Sequence, residues 1–154
     1  MISSRQGGVT MIEAAVAVVT LAMVAAFAVP RYAGLQTQAR VAALHGLSGS
    51  VRSAANMGHG VWMASGNVSP IVIDGKKIAI VNGYPDAAGI QTLIEDAGFA
   101  VKVSASTARF TPNGARVPAG CALQYGEAAA FGSSFTVTYP TQDPSLQSQL
   151  LKSC

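Results

Sequence analysis

The residues able to do chemistry in this sequence are few and widely spaced. His45 and His59 lie fourteen positions apart with no acidic residue between them, and the two cysteines, Cys121 and Cys154, stand late in the chain. The cysteines do not form a C-x-x-C pair and lie far from the histidines, so this spacing does not suit a zinc site. The chain also lacks a G-x-S-x-G motif, a phosphate-binding loop and a Cys–His pairing. The sequence therefore predicts neither an enzyme nor a cofactor.

The cysteines favour a disulfide in an oxidising compartment, which requires an export signal. Such a signal is present at the amino terminus, where residues 14–29 carry no charge and Glu13 stands directly before them. Residues 9–29 are long enough for a membrane span, which needs about 20 residues. A carboxylate in a spanning helix costs roughly 2.5–3.5 kcal/mol on insertion scales and usually has a functional partner. Glu13 is therefore a candidate functional residue.

Three interpretations of this segment compete. One is a cleavable secretory signal, with Arg5 in its basic region and cleavage after Ala28. Another is a plain single-pass anchor. The third gives Glu13 a partner in apolar surroundings, and it is the one that explains why a carboxylate is present.

Residues 8–13, which read GVTMIE, are followed by an apolar run that ends at Pro30. This arrangement resembles the class III signal of type IV prepilins. The resemblance implies that a prepilin peptidase cuts between Gly8 and Val9, that Val9 is N-methylated, and that Pro30 bends the helix. It also implies that Glu13, the fifth mature residue, acts in assembly. The family prefers Phe at the first mature position, where this chain has Val9.

Physical reasoning gives Glu13 a concrete role after such a cleavage. The new amine of Val9 would be costly in apolar surroundings unless a neighbouring subunit's Glu13 neutralised it. Pairing would relieve that cost on assembly and would set the axial register of the subunits. The alternative is that Glu13 reaches the membrane interface, four residues from the new terminus.

The helix is expected to continue past Pro30 to about Ala64, because residues 32–64 contain no further proline. We predict a hydrophobic transmembrane or filament-core helix over 9–30, after a leader at 1–8, and an amphipathic continuation over 31–64. One apolar stripe recurs at steps of three and four, and it consists of Leu44, Leu47, Val51, Ala54, Gly58 and Val61.

Residues 65–154 are predicted to form a globular β-rich head. Asp74-Gly75 suits the turn of a hairpin, and Asp86 suits the N-cap of a helix that ends near Ala97. A helix followed by strands indicates an α+β fold, with the long helix packed on an antiparallel sheet. The strands of that sheet are expected at 99–103, 108–111, 122–125 and 135–139.

The overall composition excludes two classes of protein. Half of the residues are hydrophobic and 11% are charged, which argues against a disordered chain and against a coiled-coil rod. The formal net charge of +3 is too small to indicate nucleic-acid binding by itself. Arg31, Arg40 and Arg52 could contact DNA or another anionic surface. The favoured interpretation is that Arg31 marks the membrane boundary and that the other two hydrogen-bond neighbouring subunits.

Residues 30–36, which read PRYAGLQ, and the turn at 82–85 resemble pilins of the mannose-sensitive haemagglutinin type. The resemblance implies the type IV pilin fold, with Cys121 and Cys154 bounding an exposed carboxy-terminal region. It implies a homo-oligomeric filament for adhesion, with motility or DNA uptake as further roles and a surface receptor as a partner. Assembly would use an inner-membrane platform with a cytoplasmic ATPase, and the subunit would move from the inner membrane to an extracellular pilus. Alternatives are a pseudopilin of a type II secretion system and an exported soluble binding domain.

Overall fold

The computed structural model describes residues 9–94, 98–140 and 144–154, and its architecture is α+β, as predicted. The chain divides into two units, residues 1–36 and 37–154, and the first helix continues from one into the other. The elements, in chain order, are α1 (Met11–Ala64), β1 (Ile71–Ile73), β2 (Lys76–Ile78), β3 (Ile80–Val81), β4 (Tyr84–Pro85), α2 (Ala87–Leu93), β5 (Phe99–Ser104), β6 (Thr107–Pro112), β7 (Leu123–Gly126), β8 (Thr136–Thr138) and α3 (Pro144–Ser153).

The carboxy-terminal part of α1 supplies one wall of the core. The predicted apolar stripe is confirmed, because Leu44, Leu47, Val51 and Ala54 are all buried. Ser48, which the sequence placed on another face, is also buried. It lies one position after Leu47 and three before Val51, so a buried face wider than a single stripe includes it.

Two short hairpins follow α1, and each turns on residues with positive φ. Asp74 and Gly75 have φ values of 48° and 74° between β1 and β2, as the favoured two-residue hairpin turn requires. The second strand therefore begins at Lys76, two residues earlier than the apolar pattern predicted. Asn82 and Gly83 make the equivalent turn between β3 and β4, with φ values of 51° and 93°.

The main sheet has four antiparallel strands in the order β5-β6-β7-β8, so β5 and β8 are its edges. All four predicted strands are present, with bounds that differ by one or two residues. One face packs into the core with α1, because inward and outward side chains alternate along each strand. The core residues on that face are Ala108, Phe110, Leu123, Tyr125 and Val137.

Helix α2 is held by two carboxylates at its amino terminus. The Asp86 side chain accepts a hydrogen bond from the N–H of Gly89 at 2.6 Å, as expected of an N-cap, and Glu127 accepts one from the N–H of Ala87 at 2.7 Å. The helix ends at Leu93, because Ile94 is already extended. The predicted end near Ala97 falls on 95–97, outside the described residues.

Gly58 is the one glycine on the described part of α1 whose missing side chain allows a close approach. A Cβ there would lie 2.5 Å from Cγ of Pro85, whereas a Cβ at Gly60 would meet no atom within 4 Å. Overpacking costs typically about 1–3 kcal/mol, and an unobstructed Gly-to-Ala change in a helix gains about 0.5–1 kcal/mol. We therefore expect Gly58→Ala to lower the unfolding free energy of the head and Gly60→Ala to raise it. Denaturant titration of both variants measures the difference, and equal shifts would contradict the close packing.

The phenol of Tyr125 ties β7 to the second hairpin. Its hydroxyl donates a hydrogen bond to the carbonyl of Pro85 at 2.6 Å, and the side chain is buried. Burial, with a smaller contribution from the nearby charge of Glu127, raises the pKa of the Tyr125 phenol well above its usual value of 10.0.

We expect Tyr125→Phe to cost about 1–3 kcal/mol of stability at neutral pH, because the Pro85 carbonyl loses its partner. A raised pKa means that the folded state holds the phenolic proton more tightly than the unfolded state. The wild type should therefore lose stability as the pH rises above about 10, and the variant should lack this component. Unfolding curves at pH 7 to 11 measure both effects. The exposed Tyr32, changed to Phe, is the control, and an identical pH dependence in all three proteins would refute the prediction.

Candidate functional site

The amino-terminal part of α1 is an apolar surface that faces outward all round. Met11, Leu21 and Phe27 are 94%, 69% and 79% exposed, and an 18-residue window of this helix has a mean hydropathy of 2.4 with none of it buried. By length and composition this helix could cross a membrane. Residues 9–29 form this surface, called here the apolar segment, and it matches the predicted membrane or filament-core helix in composition.

Glu13 lies in the first turn of α1, at one end of the apolar segment, and its side chain is exposed. Its backbone N–H is 3.3 Å from the hydroxyl oxygen of Thr10, which satisfies one of the free N–H groups of the helix start. Within the part of the chain that the structure describes, no cation lies near the carboxylate. Val9 is exposed just before the helix, and Gly8, the other half of the predicted cleavage site, lies outside the described residues.

Pro30 lies inside α1, and the helix continues beyond it. A proline has no N–H to donate to the carbonyl four residues earlier, here that of Ala26, so the helix lacks one hydrogen bond at this point. Thr20 compensates for nothing at that position, since its hydroxyl donates to the carbonyl of Ala17 at 2.9 Å. The weakest turn of the helix therefore coincides with the end of the apolar segment.

Two arginines that the sequence assigned to contacts with neighbouring subunits have partners within their own chain. Arg40 donates to the carbonyl of Cys154 at 2.8 Å, and Arg52 lies 3.4 Å from the carbonyl of Val137. Both contacts link α1 to the head across a long stretch of sequence. They correct the earlier interpretation, because a guanidinium donating to its own head stabilises the subunit itself. Arg31, the predicted boundary residue, is exposed.

The predicted disulfide is present between Cys121 and Cys154, whose Cα atoms are 5.0 Å apart and whose side chains are both buried. It attaches the end of α3 to the segment before β7. A hydrogen bond from the N–H of Val117 to the carbonyl of Ser153, at 2.7 Å, reinforces the same attachment. With the Arg40 contact, the last residues are held to both the sheet and α1.

Several aromatic rings gather where α1 ends. His59 stacks on Tyr84 with ring centres 4.5 Å apart and on Trp62 at 5.6 Å. Phe131 meets the edge of Trp62 at 6.2 Å and is itself 78% exposed. The sequence predicted that Trp62 and Met63 pack between helix and sheet. Trp62 instead packs in this ring cluster, and that interpretation is wrong for Met63, which is 55% exposed.

The rings border an open cavity of about 310 Å³, called here the aromatic pocket, which the sequence did not predict. It is lined by His59, Trp62, Asn82, Tyr84, Phe131, Gly132, Ser133 and Ser134. These residues come from α1, from the second hairpin and from the loop before β8. Spacing along the chain gives no signal that such distant residues meet. His45, the other histidine, is elsewhere, with its Nδ1 3.4 Å from the hydroxyl of Tyr139.

No group of three or more histidine, cysteine or acidic residues is placed to hold a metal ion within residues 9–94, 98–140 and 144–154. Glu95 and Asp96, which the sequence offered as a weak calcium candidate, lie outside those ranges. The site thus consists of an exposed apolar helix with one carboxylate, and a disulfide-linked head with an aromatic pocket. Comparisons of the chain with protein-family models, with curated proteins and with solved structures give no match.

Proposed function

We propose that this chain is the structural subunit of a filament of the type IV pilus class, most similar to the mannose-sensitive haemagglutinin type. The observation that carries the proposal is the exposed apolar segment with Glu13 at its start. An apolar surface of this extent is not stable in water, so it must be covered by lipid or by protein. A membrane would cover it before assembly, and copies of the same segment would cover it in the filament.

The carboxylate of Glu13 supports assembly rather than simple anchoring. A charge buried in apolar surroundings is costly unless an opposite charge pairs with it. Processing between Gly8 and Val9 would create a positive amine four residues before Glu13. Pairing of that amine with the Glu13 of a neighbour would be available only in the assembled state, and it would favour one axial register.

The head supplies the outer surface in this proposal. Its core, its disulfide and the Arg40 contact stabilise it against the conditions outside the cell. The partners would be a prepilin peptidase, an inner-membrane assembly platform driven by a cytoplasmic ATPase, and further copies of the subunit. Attachment of cells to surfaces would follow from display of many heads along one filament.

The mass of the mature protein tests the proposal. Loss of eight residues together with gain of a methyl group supports a pilin, whereas loss of 28 residues would indicate an exported soluble domain. Electron microscopy of sheared surface material is the second measurement. Long filaments that contain this chain are expected, and a chain found only in short periplasmic assemblies would indicate a pseudopilin.

A further inference from the structure

The aromatic pocket has the composition of a ligand site, and the proposed filament does not require it. Three rings at its wall, those of Trp62, Tyr84 and Phe131, are not fully buried. Phe131 is the most notable, because a phenylalanine with 78% of its surface exposed gains little from folding. The volume of about 310 Å³ lies at the lower end of the range for small-molecule pockets, about 300–1,000 Å³.

The walls of the pocket are held in place by hydrogen bonds behind the lining residues. The side-chain N–H of Asn82 donates to the carbonyl of Ala128 at 2.7 Å, and Nδ1 of His59 lies 2.7 Å from the carbonyl of Gly83. The hydroxyl of Ser133 closes a tight turn with Ala130. The pocket is therefore formed before any ligand arrives, which lowers the entropy cost of binding.

The polar groups that remain available in the pocket are neutral. Asn82 uses its side-chain N–H, but its side-chain oxygen has no hydrogen-bond partner among the described residues, and the same is true of the exposed Ser134 hydroxyl. No carboxylate and no lysine or arginine lines the pocket. A cationic ligand would lack a counter-charge here, and so would an anionic one.

We propose that the aromatic pocket binds one hexopyranose unit of a neutral carbohydrate. A pyranose ring has an apolar face of C–H groups and a rim of hydroxyl groups. The face would pack on the exposed aromatic rings, and the hydroxyls would bond the Asn82 oxygen and the Ser134 hydroxyl. The small volume limits the site to about one sugar unit. The pocket lies within residues 37–154 of a single chain, so binding does not require assembly into a filament.

The position of Trp62 makes a direct measurement available, because it is the single tryptophan of the chain. The full-length protein is held in a polyoxyethylene detergent, whose head group contains neither sugar nor choline. Methyl glycosides of glucose, mannose, galactose and N-acetylglucosamine are then titrated while Trp62 fluorescence is recorded. At least one is expected to give a saturable change with a Kd of about 1 mM, as suits a small open site.

Variants separate this site from nonspecific effects. Phe131→Ala is expected to weaken binding about tenfold with an unchanged melting temperature, because the side chain is largely exposed. Val103→Ala, an exposed apolar residue outside the pocket, is the matched control and should bind as the wild type does. The proposal is overturned if no glycoside saturates, if choline chloride saturates instead, or if Phe131→Ala binds with unchanged affinity.

Discussion

Replacing Glu13 with alanine is expected to leave the subunit in the membrane and to reduce the yield of assembled filaments at least tenfold. The apolar segment keeps its length and loses its one charge, so insertion becomes easier. Each neighbour's amine then has no partner. Removing one member of a buried ion pair costs roughly 3–5 kcal/mol, which corresponds to about a hundredfold or more in an association constant.

The measurement combines membrane fractionation with quantification of sheared filaments. Val16→Ala is the control, since it removes side-chain volume from the same exposed segment without changing its charge. It should assemble nearly as well as the wild type. A Glu13→Ala subunit that formed filaments in normal amounts would refute the pairing, and one lost from the membrane would show that Glu13 acts before assembly.

Removing the disulfide is expected to produce the largest loss of stability in the head. Cys121 and Cys154 are 33 positions apart, and the chain-entropy model gives about 3–4 kcal/mol for a loop of that size. Both sulfurs lie in the core, so the Cys121→Ala, Cys154→Ala double variant also leaves unfilled space. Helix α3 should detach first, because its buried Leu150 and the contacts of Ser153 and Cys154 hold it to the head.

Limited proteolysis of the double variant and the wild type, both in detergent, measures this effect. Cleavage is expected within α3 and the strands next to it, while the amino-terminal part of α1 stays protected to the same degree in both proteins. Thermal unfolding followed by Trp62 fluorescence gives the loss of stability. Equal protease resistance in the two proteins would contradict a structural role for the bond. The single variant Lys152→Ala, exposed on the same helix, controls for changes in α3 alone.

The elements with strong local signals were predictable from the sequence. The apolar stripe of α1 repeats for several turns without a proline, and the Asp74-Gly75 turn requires positive φ, which glycine adopts at no cost. Helix α3 was missed because it is short and polar, and its stability comes from tertiary contacts rather than local preference. Ser48 was placed on the wrong face because a narrow stripe underestimates the buried face of a helix that packs on a sheet.

The candidate site was predictable only where it is continuous in sequence. Glu13 and the apolar run announce themselves, because a charge beside an uncharged segment is conspicuous. The aromatic pocket joins residues as far apart as His59 and Phe131, and no periodicity brings them together. The in-chain partners of Arg40 and Arg52 depend likewise on how the head folds back on α1.

The edges of the four-stranded sheet bear on how many identical heads can be crowded together. An uncovered strand is a template for pairing with another molecule, which leads to aggregation. Edge strand β8 has only three residues and is soon followed by Pro140, and β5 carries the exposed charge of Lys102. Short length, proline and lysine all oppose such pairing. Neighbouring heads along a fibre would therefore touch through side chains, and their backbones would not merge into amyloid-like ribbons.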